Sequence, residues 1–192
     1  MTASSDTALL VIDAQESFRQ RTSDWAATAN PAVLDNIARL VEHARAIGDP
    51  VVWITHSEPL SGGVFDPAVG FVRVISELGP GEDEAAVTKT TINAFTSTDL
   101  QARLEGAGIR RVVICGIRTE QCCETTARVA ADLGFDVEFV TDATTTSAIP
   151  ARGGLAAVTG DEIMRRTESI LSARGFATIT ATRTRTAATA AA

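Results

Sequence analysis

The chain has 192 residues, of which 45% are hydrophobic and 21% are charged, and its formal net charge is −7 at pH 7. This length and composition predict one globular domain with a sizeable core. The negative charge argues against nucleic acid or an anionic membrane as the main partner, because both attract concentrated positive charge.

The sequence also bears on where the protein resides. No apolar run approaches the roughly 20 residues that a membrane span needs, and residues 1–10 lack the basic start and apolar core of a signal peptide. Two of the three cysteines are adjacent, which makes a poor disulfide framework and fits a reducing compartment. We therefore predict a cytoplasmic protein.

The first predicted elements are a strand, a helix and a second strand. Residues 7–12 form an apolar run that ends at Asp13, and residues 31–48 have the helical periodicity of an amphipathic helix that ends at Gly48. Residues 50–55 predict a second buried strand that leads to His56. Asp13 is either a functional group at the carboxyl edge of a sheet or the cap of the next turn. His56 either contacts substrate or binds local backbone.

A long loop and a short strand follow. Residues 57–70 contain three glycines and two prolines, which is typical of a flap over a site, and Phe65 would be an apolar contact of that flap. Residues 85–87 predict a short strand, and Lys89 lies at the end of that strand. Lys89 is the single lysine among 17 basic residues, which suggests a need for a compact ammonium, although chance is the alternative. Ser97 or Thr98 would cap the next helix.

The stretch from residue 109 to 128 reads as strand, turn and helix. Gly116 is predicted to end the strand, and Thr119 is predicted to cap a helix that runs towards Gly134. Cys122 would then lie in the first helical turn, where the helix dipole favours a thiolate. The alternative interpretation is that Cys122 is a small buried hydrophobe.

The rest of the chain completes an alternating pattern. Residues 136–140 and 176–179 predict strands, and residues 149–173 predict one or two helices. Strands that alternate with helices predict a doubly wound, mostly parallel sheet over residues 1–180. Residues 181–192 are rich in Ala, Thr and Arg and are predicted to be a mobile tail or an oligomer arm.

Three candidate catalytic residues each follow a predicted strand. Parallel strands point their carboxyl ends the same way, so Asp13, Lys89 and Cys122 should converge at one edge of the sheet. Asp13 would take the thiol proton, and Lys89 would depress the pKa of the thiol. This arrangement predicts a cysteine nucleophile that is activated without histidine.

Three motifs carry a resemblance to a known family. They are Asp13-x-Gln15-x-x-Phe18, Lys89-x-x-x-Asn93-Ala94-Phe95 and Cys115-Gly116-Ile117-x-Thr119-x-x-Cys122. In this order they resemble the isochorismatase-like superfamily of cysteine hydrolases. The resemblance implies a three-layer, Rossmann-like α/β fold with a six-stranded parallel sheet flanked by helices, and commonly a homo-oligomer.

The resemblance also implies a site and a chemistry. The catalytic triad would be Asp13, Lys89 and Cys122, a non-proline cis peptide would precede residue 118, and the backbone N–H groups of Arg118 and Cys122 would form an oxyanion hole. Members of the superfamily hydrolyse amide or ureido C–N bonds in small molecules, and a lactam is a related substrate. The candidate substrate contacts are Gln15, Phe18, His56, Phe65 and Arg118.

Departures from the family pattern refine these expectations. The Asp-x-His metal motif of the nicotinamidase branch is missing, so we predict no catalytic metal and no cofactor. The presence of Cys122 favours C–N hydrolysis through a thioester over the vinyl ether hydrolysis of true isochorismatases, although that activity and a non-catalytic binding role stay open. Arg118 would bind a substrate carboxylate bidentately, or else form a salt bridge to Glu120 or a neighbouring subunit.

Overall fold

The computed structural model describes residues 5–187, which form an α/β domain of alternating strands and helices. The strands are β1 (Thr7–Ile12), β2 (Val51–His56), β3 (Ala85–Lys89), β4 (Arg111–Ile117), β5 (Asp136–Thr145) and β6 (Thr178–Thr180). The helices are α1 (Glu16–Arg19), α2 (Thr22–Ala26), α3 (Val33–Ile47), α4 (Leu100–Gly106), α5 (Glu124–Asp132), α6 (Gly160–Ala173) and α7 (Thr182–Ala187). A π-helical turn, Thr119–Cys123, leads directly into α5.

The six strands form one sheet in the order β3-β2-β1-β4-β5-β6, and each neighbouring pair is parallel. The chain therefore builds outward from β1 to β3 and then returns to the other side of β1 with β4. This is the strand order of a doubly wound Rossmann-like sheet, and it confirms the predicted fold class. Because the order reverses between β1 and β4, the carboxyl ends of these strands flank the crevice where such sheets bind ligands.

The centre of the sheet is buried on both faces, as parallel sheets with crossover helices require. All six residues of β1 are buried. Leu10 and Ile12 belong to the apolar cluster that α4, α5 and α6 complete, and Leu9 and Val11 belong to the cluster that α3 completes. The alternation of β1 side chains between two helical layers gives the three-layer architecture.

Helix α3 forms where the apolar periodicity predicts a helix. Its buried positions recur at helical spacing, and it ends at Ile47 because Gly48 takes the left-handed conformation with φ of 81°. The five buried residues are Val33, Ile37, Leu40, Val41 and Ala44. This helix covers one face of the sheet.

The prediction that Gly116 ends the central strand is wrong. Gly116 lies within β4 beside Ile12 of β1, with φ of 129°. A Cβ atom at this position would lie 1.9 Å from the Ile12 carbonyl oxygen, far inside contact distance. Glycine therefore allows β1 and β4 to approach closely at the point where β1 ends and Asp13 begins.

The second half of the chain departs from the predicted boundaries. Strand β5 continues past Val140 to Thr145 through a shift in its register with β4. The predicted helical stretch contains one helix, α6, whose start is fixed by a capping box between Thr159 and Glu162. The residues before it form an irregular segment with an antiparallel bridge between Ile149 and Val158.

Residues 182–187, which lie within the predicted tail or oligomer arm, form the helix α7. The backbone N–H and the hydroxyl of Thr182 both donate to Asp142 Oδ1 at 2.8 Å, and Arg185 pairs with Asp49 at 2.9 Å. The sequence did not predict this helix, because the composition of the segment is of low complexity. The contacts that hold the helix are with residues far away in the chain. Residues 188–192 lie outside the part of the chain that the structure describes.

Within residues 5–187 no helix combines the length and the apolar character that a membrane span needs. The cytoplasmic location stays a prediction.

Gly116→Ala should lower the free energy of unfolding by about 3 kcal/mol, because the new methyl group overlaps the Ile12 carbonyl and alanine disfavours this φ. Urea denaturation monitored by circular dichroism measures the change. Gly106→Ala is the control, since apart from its chain neighbours and the nearby backbone of its own helix no atom lies within 4 Å of the place its new methyl group would take, and alanine favours helix by roughly 0.5–1 kcal/mol. Equal stabilities of the two variants would contradict the assigned role of Gly116.

Candidate active site

The three candidate catalytic residues meet at the carboxyl edge of the sheet, as the strand pattern predicts. Lys89 is the last residue of β3, Asp13 follows β1, and Cys122 lies in the π-helical turn after β4. Lys89 and Asp13 have no exposed surface, and Lys89 Nζ donates to Asp13 Oδ2 at 2.7 Å. The site is therefore a buried ion pair with a thiol beside it.

The ammonium of Lys89 has more acceptors than protons. Nζ lies 2.7 Å from Asp13 Oδ2, 3.2 Å from the Thr91 carbonyl oxygen, and 3.5 Å from both His56 Nδ1 and Cys122 Sγ. An ammonium has three N–H donors, so the two longest contacts compete for one proton.

Asp13 is held in an unusual backbone conformation. Its φ is 51°, in the left-handed region, and its backbone N–H donates to the Ile54 carbonyl at 2.8 Å. The alternative that Asp13 caps the next turn is wrong, because Oδ2 binds Lys89. Oδ1 is buried and has no hydrogen-bond partner among the described residues. This oxygen is the one placed to receive a proton.

The surroundings of the Asp13 carboxylate favour its role as a proton acceptor. Burial raises the pKa of the Asp13 carboxyl, and the facing Lys89 ammonium and Cys122 thiol oppose this shift. A carboxylate with a raised pKa is a stronger base. Asp13 therefore combines an unpartnered oxygen with increased basicity.

The predicted depression of the Cys122 pKa is wrong for this state of the site. Cys122 is 6% exposed, and burial raises the pKa of its thiol to about 12, with the Asp13 charge adding to the effect and Lys89 opposing it. The helix dipole acts on Cys122 at the start of the helix, but desolvation is the largest influence on the pKa of this buried thiol. The resting thiol is protonated at neutral pH.

The predicted N-cap role of Thr119 is also wrong. Its hydroxyl donates to Thr144 Oγ1 at 2.8 Å, and that hydroxyl in turn donates to the Thr141 carbonyl at 2.9 Å. These bonds join the π-helical turn to the extended end of β5. They fix the backbone just before Cys122.

The neighbouring thiols differ from Cys122 in their surroundings. Cys123 has no exposed surface and packs in the core with Ala127 and Ala130, and burial raises the pKa of its thiol well above its ordinary value. Cys115 is also fully buried, and burial raises the pKa of its thiol. Of the three cysteines, Cys122 is the one that contacts Lys89.

Aromatic side chains and Arg118 border the site. Phe65, from the loop after β2, packs edge-on against Phe18 and His56 with ring centroids 5.1 and 5.6 Å apart. The Arg118 guanidinium lies over the Phe18 ring at 5.9 Å. These contacts connect Arg118 to His56, which in turn reaches Lys89. The peptide bond between Ile117 and Arg118 is cis.

Gln15 does not offer a free group to a substrate, and its prediction as a substrate contact is corrected. Its Nε2 donates to Ser17 Oγ at 2.8 Å and to the His56 carbonyl at 3.0 Å, and its Oε1 accepts from the His56 N–H at 2.6 Å. The buried amide thereby holds the end of β2 beside the end of β1. Gln15 positions His56.

The side chain of Arg118 is ion-paired, but the carboxylate that it binds belongs to Asp24 and not to the predicted Glu120. Nη2 donates to Asp24 Oδ2 at 2.8 Å, and Nη1 donates to Ser147 Oγ at 3.0 Å. Sequence reasoning missed Asp24, Ser147 and the Thr91 carbonyl. Asp24 and Ser147 come from segments without a motif, and Thr91 is an unspecified position of the Lys89 motif that contributes a backbone carbonyl, so the sequence carried no signal for these groups.

Within residues 5–187 no three His, Cys, Asp or Glu side chains lie close enough together to hold a metal ion. The expected independence from metal stays a prediction.

The fold and the site together define a class of protein, a doubly wound α/β protein with a buried Asp-Lys-Cys arrangement at its topological switch point. The family profile described as "Isochorismatase domain" matches residues 7–153. The chain belongs to the isochorismatase family and is a hydrolase of that family.

Named relatives support this assignment. The chain is 35% identical over 145 residues to the secreted isochorismatase effector Isc1 of Verticillium dahliae, covering 76% of this chain and 75% of that protein. It is 36% identical over 153 residues to nicotinamidase 3 of Arabidopsis thaliana, covering 72% and 73%. A crystal structure of a hydrolase of the isochorismatase family from Chromobacterium violaceum superposes with a TM-score of 0.87 at 26% identity, covering 98% of this chain and 96% of that chain.

Lys89→Arg should fold normally and lose about 100-fold in kcat, because a planar guanidinium cannot take the place of an ammonium that is 2.7 Å from Asp13 and 3.5 Å from Cys122. The rate of ammonia release from the amide that the native protein hydrolyses fastest measures the loss. Arg103→Lys, at an exposed ion pair of α4, is the matched control and should keep the native rate. A native rate in the Lys89→Arg variant would remove Lys89 from the catalytic group.

Proposed function

We propose that the protein is a cysteine hydrolase that cleaves an amide, ureido or lactam C–N bond in a small molecule through a covalent Cys122 thioester. The observation that carries this proposal is the contact of Cys122 with Lys89, which itself binds the Asp13 carboxylate and leaves one oxygen of that carboxylate without a partner. The similarity to a nicotinamidase supports an amide as the bond that is cleaved.

The first chemical step is attack by sulfur on the substrate carbonyl carbon. Asp13 Oδ1 takes the thiol proton as the C–S bond forms, and the shared proton of Lys89 turns from His56 to the sulfur. Delivering the proton to Asp13 during attack avoids a free thiolate, which burial disfavours. The proton neutralises the Asp13 carboxylate, and the negative charge moves to the substrate carbonyl oxygen.

Backbone donors would stabilise that oxygen. In our proposal the N–H groups of Arg118 and Cys122 form the oxyanion hole, since both lie in the segment that carries the nucleophile. Fixed donors in a site that excludes water stabilise a developing oxyanion without reorganisation. The bonds from Thr119 to β5 keep this segment in place.

Collapse of the tetrahedral intermediate breaks the C–N bond. Asp13 returns its proton to the departing nitrogen, which leaves as ammonia or an amine, and Cys122 remains as a thioester. A water molecule then attacks the thioester while Asp13 takes a proton from it. Collapse of this second intermediate breaks the C–S bond, and Asp13 returns the proton to the sulfur, which restores the thiol and frees the acid product.

The pocket favours small substrates. Phe18 and Phe65 are nearly buried and in contact, which leaves a narrow apolar rim, and His56 completes it. We propose that these three side chains contact the substrate and limit its size. A panel of small amides, ureido acids and lactams, assayed for ammonia or amine release, tests the proposed function, and a panel without turnover would count against it.

Vinyl ether hydrolysis is the second candidate, and two observations favour it. The chain is 35% identical to an isochorismatase effector, and burial raises the pKa of Asp13, which would let the carboxyl act as an acid towards a vinyl ether. That reaction needs Asp13 and no sulfur nucleophile. Activity on a vinyl ether that survives Cys122→Ala would identify this alternative.

Cys122→Ala should abolish amide turnover, whereas Cys123→Ala should keep most of it, because Cys122 is the one of the two that contacts Lys89 and Cys123 has no exposed surface. Steady-state kinetics of the two variants, with circular dichroism to verify folding, gives the comparison. The reverse pattern of activity would assign the nucleophile to Cys123.

Activity should survive exhaustive dialysis against EDTA, since the proposed chemistry uses the Asp13 carboxylate as the base and needs no metal-bound water. Turnover before and after dialysis, with metal content measured by mass spectrometry, tests this prediction. Loss of activity that zinc or iron restores would show that a metal takes part.

A further inference from the structure

The buried carboxylate of Glu124 lies two residues after Cys122 in the chain. Its Oε1 accepts from Nε and Nη2 of Arg128 at 3.1 and 2.8 Å, and from Arg166 Nη1 at 2.8 Å. Its Oε2 accepts from Arg166 Nη1 at 2.6 Å and from the Thr167 hydroxyl at 2.7 Å. Hydrogen bonds from charged donors are strong and directional, so this side chain is held in one place.

The groups around Glu124 keep its carboxyl ionised and join two helices. Burial raises the pKa of this carboxyl, but the bonds from Thr167, Arg128 and Arg166 outweigh burial and hold the pKa below its ordinary value. Arg128 belongs to α5, as Glu124 does, whereas Arg166 and Thr167 belong to α6. The carboxylate therefore fastens the start of α5 to α6.

The backbone of Glu124 closes the π-helical turn that carries Cys122. The Glu124 N–H donates to the carbonyl of Thr119, five residues earlier, which is the spacing of a π-helix. Cys122 lies between these two residues. A turn that relaxed to the four-residue spacing of an α-helix would rotate the Cys122 side chain about the helix axis and change its distance from Lys89.

The two ends of the π-helical turn are anchored to different layers of the fold. At its start, the Thr119 hydroxyl donates to Thr144 Oγ1 in β5 at 2.8 Å. At its end, the Glu124 carboxylate accepts from Arg166 and Thr167 in α6. The sheet and α6 therefore hold the turn from both sides, and the side chain of Glu124 is the anchor on the helical side.

We propose that Glu124 is a positioning residue for the nucleophile, and that its bonds to α6 hold the π-helical turn in the spacing that directs Cys122 towards Lys89. This inference rests on the proposed function, which makes Cys122 the nucleophile. Cys122 Sγ lies 3.5 Å from Lys89 Nζ. A displacement of about 1 Å at such a site can cost on the order of 100-fold in rate. Because the Glu124 carboxylate is engaged by α5 and α6, loosening it should lower kcat and leave KM unchanged.

Glu124→Gln keeps the shape of the side chain and removes its charge. We expect kcat for the panel amide that the native protein hydrolyses fastest to fall about 10-fold or more, while KM stays at its native value. Thr167→Val removes a single donor from Oε2 and is the milder variant, so kcat should fall in the same direction and by less. Steady-state kinetics measures both effects, and circular dichroism verifies folding.

Glu84→Gln is the matched control. The Glu84 carboxylate is also held by several donors, among them Arg45 Nε at 2.7 Å and Trp53 Nε1 at 2.6 Å. Glu84 precedes β3, whereas Lys89 ends this strand, so the control lies away from the carboxyl edge of the sheet. Glu84→Gln should lower the free energy of unfolding and keep the native kcat. A merely structural role of Glu124 predicts native kcat in both variants.

Hydrogen–deuterium exchange of the peptide that spans residues 119–124, followed by mass spectrometry, reports on the turn without any substrate. Exchange should be about 10-fold faster or more in Glu124→Gln than in the native protein or in Glu84→Gln, because the bond from the residue-124 N–H to the Thr119 carbonyl opens more often. Faster exchange with a native kcat, or equal exchange in the two variants, would overturn the proposal.

The exchange measurement also separates this proposal from the proposed function. If the native protein hydrolyses no compound of the panel, the proposed function fails and exchange alone decides the role of Glu124. Faster exchange in Glu124→Gln than in Glu84→Gln would then keep Glu124 as the residue that positions the turn, and equal exchange would reject it.

Discussion

The buried ion pair between Lys89 and Asp13 is the interaction on which the rest of the site depends. Neither side chain reaches solvent, so each charge is stabilised by the other and by groups at the ends of β1, β3 and the turn after β4. Removing one member of such a pair typically costs about 3–5 kcal/mol, because the other charge is left uncompensated. The proposed chemistry therefore uses groups that also hold the carboxyl edge of the sheet together.

Much of this arrangement could be predicted from the sequence because it follows from local patterns. A short apolar run predicts each strand, and parallel strands bring the residues after those runs to one edge of the sheet. These two facts were enough to predict that Asp13 lies near Lys89. Helix α3 was predictable because its apolar spacing and the glycine after it are both local signals. The doubly wound parallel sheet then followed from the alternation of strands and helices.

The features that escaped prediction depend on contacts between distant residues. Locally, Gly116 predicts the end of a strand, but in the fold it allows β4 to pass close to the Ile12 carbonyl. Thr119 predicts a helix cap, but in the fold its hydroxyl binds Thr144 in the extended end of β5. The pKa of Cys122 was misjudged because the helix dipole is visible in the sequence, whereas the degree of burial is a property of the folded chain. Helix α7 was missed because its anchor, Asp142, lies 40 residues away.

The isolation of one amine inside the domain has a practical consequence. Lys89 is the only lysine in 192 residues, and it has no accessible surface. Reagents that acylate or cross-link amines, and enzymes that attach acetyl groups or ubiquitin to lysine, therefore find no lysine on the folded domain. Immobilisation or labelling through side chains would have to use groups other than lysine, such as carboxylates, and reaction at Lys89 would report that the carboxyl edge of the sheet has opened.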